Sequence, residues 1–240
     1  MSKVILVTGA NTGIGFELVR LLAQKGHKVY LAARNETTGK EAAEQLKQEN
    51  LNVTFVRLDV TNVETINSAK EFIQKNEGKL DVLVNNAGVA ELEKDQNATT
   101  IDVSVIRTCM EVNLFGLIQT TTTLLPLLRA SAQAVILNVT SDMSSNSFQA
   151  RPNAPLQVVA YNSSKAAANS YTIALSQELK KEGIKVNAVT PGFTSTKLNF
   201  FGQGGKTSKE GADILLPWAL LNKDGPTCQL IDEKGEILPW

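Results

Sequence analysis

Six short runs rich in β-branched residues punctuate this chain: KVILVT (3–8), KVYLAA (28–33), VTFVRL (53–58), DVLVNN (81–86), AVILNV (134–139) and KVNAVT (185–190). Each is apolar on both faces, so each reads as a strand buried inside a sheet. The intervals carry apolar residues at helical spacing, as in IGFELVRLLAQKG and TTGKEAAEQLKQEN. Strand–helix alternation repeated in this way predicts a doubly wound parallel sheet flanked by helices on both faces. With 42% hydrophobic residues and no linker-like tract, residues 1–240 are expected to form one domain. Two irregular stretches, SDMSSNSFQARPNAPLQ and FTSTKLNFFGQGGKTSKEG, follow strand ends. Open α/β sheets bind ligands there, so substrate loops are expected at about 141–157 and 193–215.

The first strand runs into TGANTGIGFELV, Thr8 to Val19. Gly9, Gly13 and Gly15 permit a tight turn, and the helix that follows points unpaired N–H groups into it. A pyrophosphate is the natural occupant, which predicts a dinucleotide site. The second strand ends LAARNE. A carboxylate at that tip would accept from a ribose 2′-hydroxyl, but here Ala33 holds the place and Arg34 follows. A guanidinium fork suits a 2′-phosphate, so the expected cofactor is NADP(H) rather than NAD(H).

Lys+Arg and Asp+Glu both number 24, and no polybasic run occurs. Nucleic acid and anionic membrane are therefore not expected partners. The longest apolar runs are strand-length, and the start MSKVILVTGA lacks a signal-peptide layout, so a cytoplasmic location is expected. Cys109 and Cys228 form no metal-ligand spacing, no metal is expected, and both read as buried intracellular thiols. The single histidine, His27, reads as a solvated turn residue.

In YNSSK, Tyr161 and Lys165 stand four residues apart, on one face of a helix. Such a pair arises readily by chance, a Lys stem covering an aromatic ring, and gains meaning from its neighbours. An unperturbed phenol titrates near 10, and an ammonium one helical turn away favours the phenolate. A lowered Tyr161 pKa, suited to general acid catalysis, is the expectation.

Through these residues and the motifs that follow, the chain resembles the short-chain dehydrogenase/reductase family along nearly its whole length. TGANTGIG is similar to the family's glycine turn. That similarity implies cofactor contacts from Gly9, Asn11, Thr12, Gly13, Ile14 and Gly15. LDVT resembles the adenine-contacting segment, giving that role to Asp59 and Val60. NNAG resembles the segment that places Asn86, Ala87 and Gly88 near the cofactor. VNLFG supplies the family's helix asparagine as Asn113, which the resemblance assigns to a water relay toward Lys165. Lys165 itself is implied to bond the nicotinamide ribose. VTPGFTST resembles the segment beside the nicotinamide, implying contacts from Pro191, Gly192 and either Thr194 or Thr196, with Thr196 the better match. The stretch VYLAARNETTGKEAAEQL and the Pro-Trp ending look most like the NADPH-dependent carbonyl reductase branch. A Rossmann fold follows from the same likeness.

A carbonyl oxygen gaining charge needs a second donor, and the serine after AVILNVTS is the candidate. Ser141 lies twenty residues before Tyr161, farther than the family habit, whereas Ser147 lies fourteen before it. Alignment on the strand end favours Ser141, since a rigid strand tip positions a donor better than a loop. Ser144, Ser145 and Ser147 are then surface serines. Gly202, Gly204 and Gly205 would allow a lid at 197–211. Phe193, Leu198, Phe200, Phe201 and Trp218 could line an apolar wall, and Arg151 either meets an anionic group or stays solvated. The expected activity is NADPH-dependent reduction of a small apolar or aromatic ketone, aldehyde or quinone. A secondary-alcohol dehydrogenase uses the same residues in reverse. A non-redox isomerase, cyclase or nucleotide sensor on this fold is the third class. The helices carrying Asn113 and Tyr161 form the dimer face in many relatives, while longer loops before the tyrosine accompany monomers. The short insertion here favours a homodimer over a monomer.

Overall fold

In a computed structural model, residues 2–154 and 156–240 are described; Met1 and Pro155, the latter inside the expected substrate loop, lie outside them. The chain runs through β1 (Val4–Val7), α1 (Gly13–Gln24), β2 (Lys28–Ala33), α2 (Glu36–Gln48), β3 (Val53–Arg57), α3 (Val63–Glu77) and β4 (Val82–Asn85). It continues through α4 (Val103–Met110), a π-helical turn (Glu111–Gly116), α5 (Leu117–Arg129) and β5 (Val135–Val139). A 3₁₀ turn (Asp142–Ser144), α6 (Asn146–Gln149), α7 (Val159–Leu179), β6 (Lys185–Val189), α8 (Ser208–Ala219), β7 (Leu230–Ile231) and β8 (Ile237–Leu238) follow. The sheet order is β3-β2-β1-β4-β5-β6-β7-β8, parallel except for the final antiparallel pair.

All six expected strands form. The alternation within them sorts residues to two cores. Ile5, Val7, Val29, Leu31, Val84 and Leu137 face α1, α2 and α8; Val4, Leu6, Tyr30, Leu83 and Ile136 face α3, α5 and α7. This is the period-2 rule of a strand applied to a sheet covered on both sides, hence the unbroken apolar runs. β7 and β8 escape sequence reading because two residues each are too short for a periodic signal. The strand order reverses between β1 and β4, so their carboxyl ends open a crevice there.

Two residues at the amino end of the sheet are structural. His27 is half-buried rather than solvated, its Nδ1 accepting from the Lys3 N–H at 3.2 Å. Burial, with Lys3 nearby, pushes its pKa down. Asp81 is buried and accepts from the Val4 N–H (2.8 Å), Lys79 Nζ (2.9 Å) and Ser131 Oγ (2.6 Å). Burial alone would raise this carboxyl, but the Ser131, Val4 and Lys79 donors outweigh it and hold its pKa low. A depressed folded pKa means stability present above the unfolded value of about 3.9 and lost as pH falls through the folded one. Asp81→Ala, which strands a buried N–H, is expected to cost about 2 kcal/mol at neutral pH. In thermal melts the gap from wild type should narrow once pH drops below about 4. A gap constant with pH would contradict this.

Candidate active site

The crevice begins with the glycine turn. Gly9 and Gly13 have φ of 61° and 62°, where a side chain is disfavoured. A Cβ on Gly9 would come within 2.8 Å of Ala87 Cα, and one on Gly15 would strike the Asn86 side chain. Thr12 caps α1 without any side-chain hydrogen bond, and the first turn holds no acidic residue. The N–H groups of that turn thus face the crevice unpaired, a fit for a phosphate anion. Ile14 packs toward the core and is within 3.2 Å of where a Cβ on Gly211 would stand.

Thr8 and Asn86 make this turn rigid. Asn86 Nδ2 donates to the carbonyls of Thr8 (2.8 Å) and Gly9 (3.1 Å). Buried Thr8 Oγ1 accepts from the N–H groups of Asn86 (3.0 Å) and Ala87 (3.1 Å). Asn86 therefore braces the turn from behind. Thr8 itself was visible only as the strand's last residue, with no pattern to mark its hydroxyl.

At the outer end, Arg34 is exposed between Ala33 and Asn35, the N-cap of α2, and makes no ion pair among the described residues. Asn11 Nδ2 donates to Thr38 Oγ1 at 3.0 Å, tying the glycine turn to α2. Asp59 Oδ1 is engaged by the N–H and hydroxyl of Thr61, at 3.0 and 2.8 Å. Val60 is buried under Gly116, where a Cβ would come within 2.8 Å of it.

At the carboxyl end of β5, Ser141 caps the 3₁₀ turn and its Oγ accepts from the Met143 N–H at 3.2 Å. The loop behind it is tied down: Ser144 bonds the Ser141 carbonyl and accepts from Asn169 Nδ2 of α7 at 2.7 Å. Ser144 and Ser145 are buried, not surface serines as expected, because they serve as these ties. Ser145 Oγ donates to the Pro239 carbonyl at 2.5 Å, and exposed Ser147 to that of Trp240 at 3.4 Å.

Tyr161 and Lys165 rise from the first turns of α7. Lys165 is buried and its Nζ donates to the Val139 carbonyl at 2.9 Å, standing 5.9 Å from the Tyr161 ring centroid. Burial brings its pKa down to about 8, with Cys109 drawing it slightly back up. The expected lowering of Tyr161 does not occur. Loss of water pushes the phenol up to about 12, Ser141 beside it pulls down, and Asp142 and Cys109 push up. The ammonium is turned toward Val139 rather than the phenol, so desolvation prevails.

The π-helical turn aims Asn113 inward, a distortion common at functional sites. Buried Asn113 accepts from the Val89 N–H (2.9 Å) and donates to the Val89 carbonyl (2.8 Å) and Ser164 Oγ (2.9 Å). Ser164 Oγ in turn donates to the Tyr161 carbonyl at 2.8 Å. Gly88 lies between these groups: a Cβ there would approach Asn113 Oδ1 at 3.2 Å and Lys165 Nζ at 3.5 Å. Ser164 went unread in YNSSK, although its place three residues past Tyr161 marks a shared face.

After β6, Gly192 has φ 70°, and a Cβ there would collide with the Glu233 carboxylate, which pairs with Lys206. Thr194 is buried with its hydroxyl on the Gly192 carbonyl at 3.2 Å. Thr196 instead overlooks the glycine turn, its Cγ2 being 3.7 Å from where a Cβ on Gly13 would stand. The two residues are thereby distinguished. Phe193, Leu198, Phe200 and Phe201 are exposed together, and Phe200 and Phe201 both hold left-handed backbone (φ 54° and 56°). Trp218 departs from the expected wall and packs on α8's side of the core. Arg151 stacks on Phe148, 4.9 Å from its ring centroid.

No helix among the described residues is long and apolar enough to cross a membrane. A family model described as short chain dehydrogenase matches residues 3–201. Salutaridine reductase of Papaver bracteatum is 32% identical, over 92% of this chain and 91% of its own. Carbonyl reductase (NADPH) 1 of Bos taurus is 32% identical, over 99% and 98%. The solved structure of salutaridine reductase from Papaver somniferum superposes with a TM-score of 0.84 at 31% identity, covering 95% of this chain and 99% of that one. The alignment to the P. bracteatum enzyme spans 287 positions against 240 residues here, so that relative carries segments with no counterpart in this chain. Glycine turn, strand order and matched sequence agree: the chain belongs to the short-chain dehydrogenase family of oxidoreductases.

Proposed function

We propose that this protein is an NADPH-dependent reductase of a small apolar or aromatic ketone, aldehyde or quinone, with Tyr161 as proton donor. The observation that carries the reading is the meeting of Ser141, Tyr161 and Lys165 at the carboxyl end of β5. The uncapped start of α1 and the glycine turn fit the pyrophosphate, and Arg34 fits a 2′-phosphate. Thr196, whose Cγ2 stands beside Gly13, is assigned to the phosphates in this reading, and Pro191, Gly192 and Gly88 to the nicotinamide end. A bound nicotinamide supplies the hydride, which no side chain can.

The chain's own part is the proton and the charge. Tyr161 with a pKa of about 12 stays protonated at neutral pH, the form a donor needs. The alkoxide it serves is a stronger base than the Tyr161 phenolate, so transfer remains downhill. Ser141 Oγ is the second donor to the same oxygen. Lys165, at about 8, is mostly charged at neutral pH and offers the ribose a donor. Asn113 acts by clasping Val89 and, through Ser164, the first turn of α7. Alcohol oxidation would need the Tyr161 phenolate, which burial opposes. The exposed phenylalanines of 193–201 favour apolar substrates.

Arg34→Glu tests the cofactor. NADPH binding should weaken on the order of 10²-fold, about 2–3 kcal/mol, while NADH binding changes little. Fluorescence titration of both nucleotides reads the difference, and equal losses would refute the assignment. Loss of NADPH absorbance against a panel of ketones, aldehydes and quinones tests the substrate class.

A further inference from the structure

The helix that carries Tyr161 and Lys165 starts without a cap of its own. Its N-cap residue, Val158, makes no side-chain hydrogen bond, and the first intrahelical bond runs from the Asn162 N–H to the Val158 carbonyl at 2.9 Å. The N–H groups of Val159, Ala160 and Tyr161 are therefore orphans of the helix start. Two of them go to one distant residue. Gln96 accepts from the Val159 N–H at its carbonyl (3.2 Å) and from the Tyr161 N–H at Oε1 (3.3 Å). Its other end donates from Nε2 to the carbonyls of Ala90 (2.6 Å) and Glu91 (2.9 Å). Gln96 is buried at 4% exposure, and Glu91 holds a left-handed φ of 49°. One buried amide thus fastens the loop leaving β4 to the first turn of α7. Tyr161's main chain is gripped on both sides, its N–H by Gln96 and its carbonyl by Ser164.

We propose that Gln96 is a positioning residue for Tyr161, setting the seat of its helix turn and coupling it to the 90–97 loop. The proposal rests on Tyr161 being the proton donor. A general acid must stand within hydrogen-bond reach of the substrate oxygen, and a shift of 1 Å costs on the order of 10²-fold. An amide suits the place because it accepts at one end and donates twice at the other; neither an apolar side chain nor a carboxylate does both.

Gln96→Met keeps the bulk and removes every side-chain bond. The expected result is kcat lower on the order of 10-fold and KM for the ketone raised, with NADPH affinity within about twofold of wild type. Gln96→Glu places a carboxylate against two carbonyls; once protonated it regains one donor and one acceptor. Its kcat should recover toward wild type as pH is lowered from about 8 to 5.5, whereas Gln96→Met should show no such recovery. Recovery of kcat across a pH range in which the thermal melt of Gln96→Glu relative to wild type stays unchanged is a signature that a merely structural role would not produce, and it decides the matter if Gln96→Met does not fold. Tyr161→Phe runs alongside. If it retains turnover, the proton-donor reading and this proposal both fall. If it is inactive while Gln96→Met keeps kcat and KM within twofold, or Gln96→Glu shows no acid recovery, the proposal alone is overturned.

Discussion

Tyr161→Phe is expected to lower turnover by 10²- to 10⁴-fold, the span that a positioned general acid contributes. The substitution removes one oxygen from a ring whose main chain is held by Gln96 and Ser164, so the fold and the nucleotide site should persist. Thermal melts and NADPH titration of the variant check that persistence, and single-turnover kinetics isolate the chemical step. The physical ground is the phenol's location. Burial makes its ionised form costly and leaves Ser141 as the neighbour that draws its pKa back down. A donor locked in its protonated form suits reduction. Turnover surviving in the variant would reject the mechanism.

Ser141→Ala is expected to cost 10²- to 10³-fold in kcat, as for other lost donors to a developing oxyanion. Ser147→Ala should leave kcat within about twofold, since its hydroxyl points at the Trp240 carbonyl on an exposed turn. The contrast separates the two serines that spacing alone left in competition. Ser141 stands on a strand end whose carbonyl is held by Ser144, itself held by Asn169 of α7. A donor so fixed loses little entropy in the transition state. A Ser147→Ala variant as damaged as Ser141→Ala would overturn the assignment.

The sheet was legible because its strands are buried on both faces, and continuous apolar runs such as VILV leave little else to read. The glycine turn was legible because a positive φ selects for glycine at Gly9 and Gly13, and a close backbone neighbour does so again at Gly9. What escaped was reach across the fold. Gln96 stands alone in a polar loop, and its meaning comes from a helix start 65 residues away. Thr8 and Ser164 act through hydroxyls that face tertiary partners no local pattern specifies. The direction of the Tyr161 shift escapes for the same reason: helical spacing places Lys165 nearby, but the Val139 carbonyl decides where its ammonium points.

β4 illustrates how little material separates two kinds of duty. Its entrance is Asp81, fastened to Val4, Lys79 and Ser131; its exit is the Asn85–Gly88 segment that walls the crevice. Three strand residues, Val82, Leu83 and Val84, roughly 10 Å of chain, lie between them. A buried polar tie thus sits at one rim of the sheet and the proposed chemistry at the other. Loops of the upper rim can therefore be remodelled without touching the Asp81 tie of the lower one. The same separation marks where an engineer can add heat resistance without retuning the catalyst.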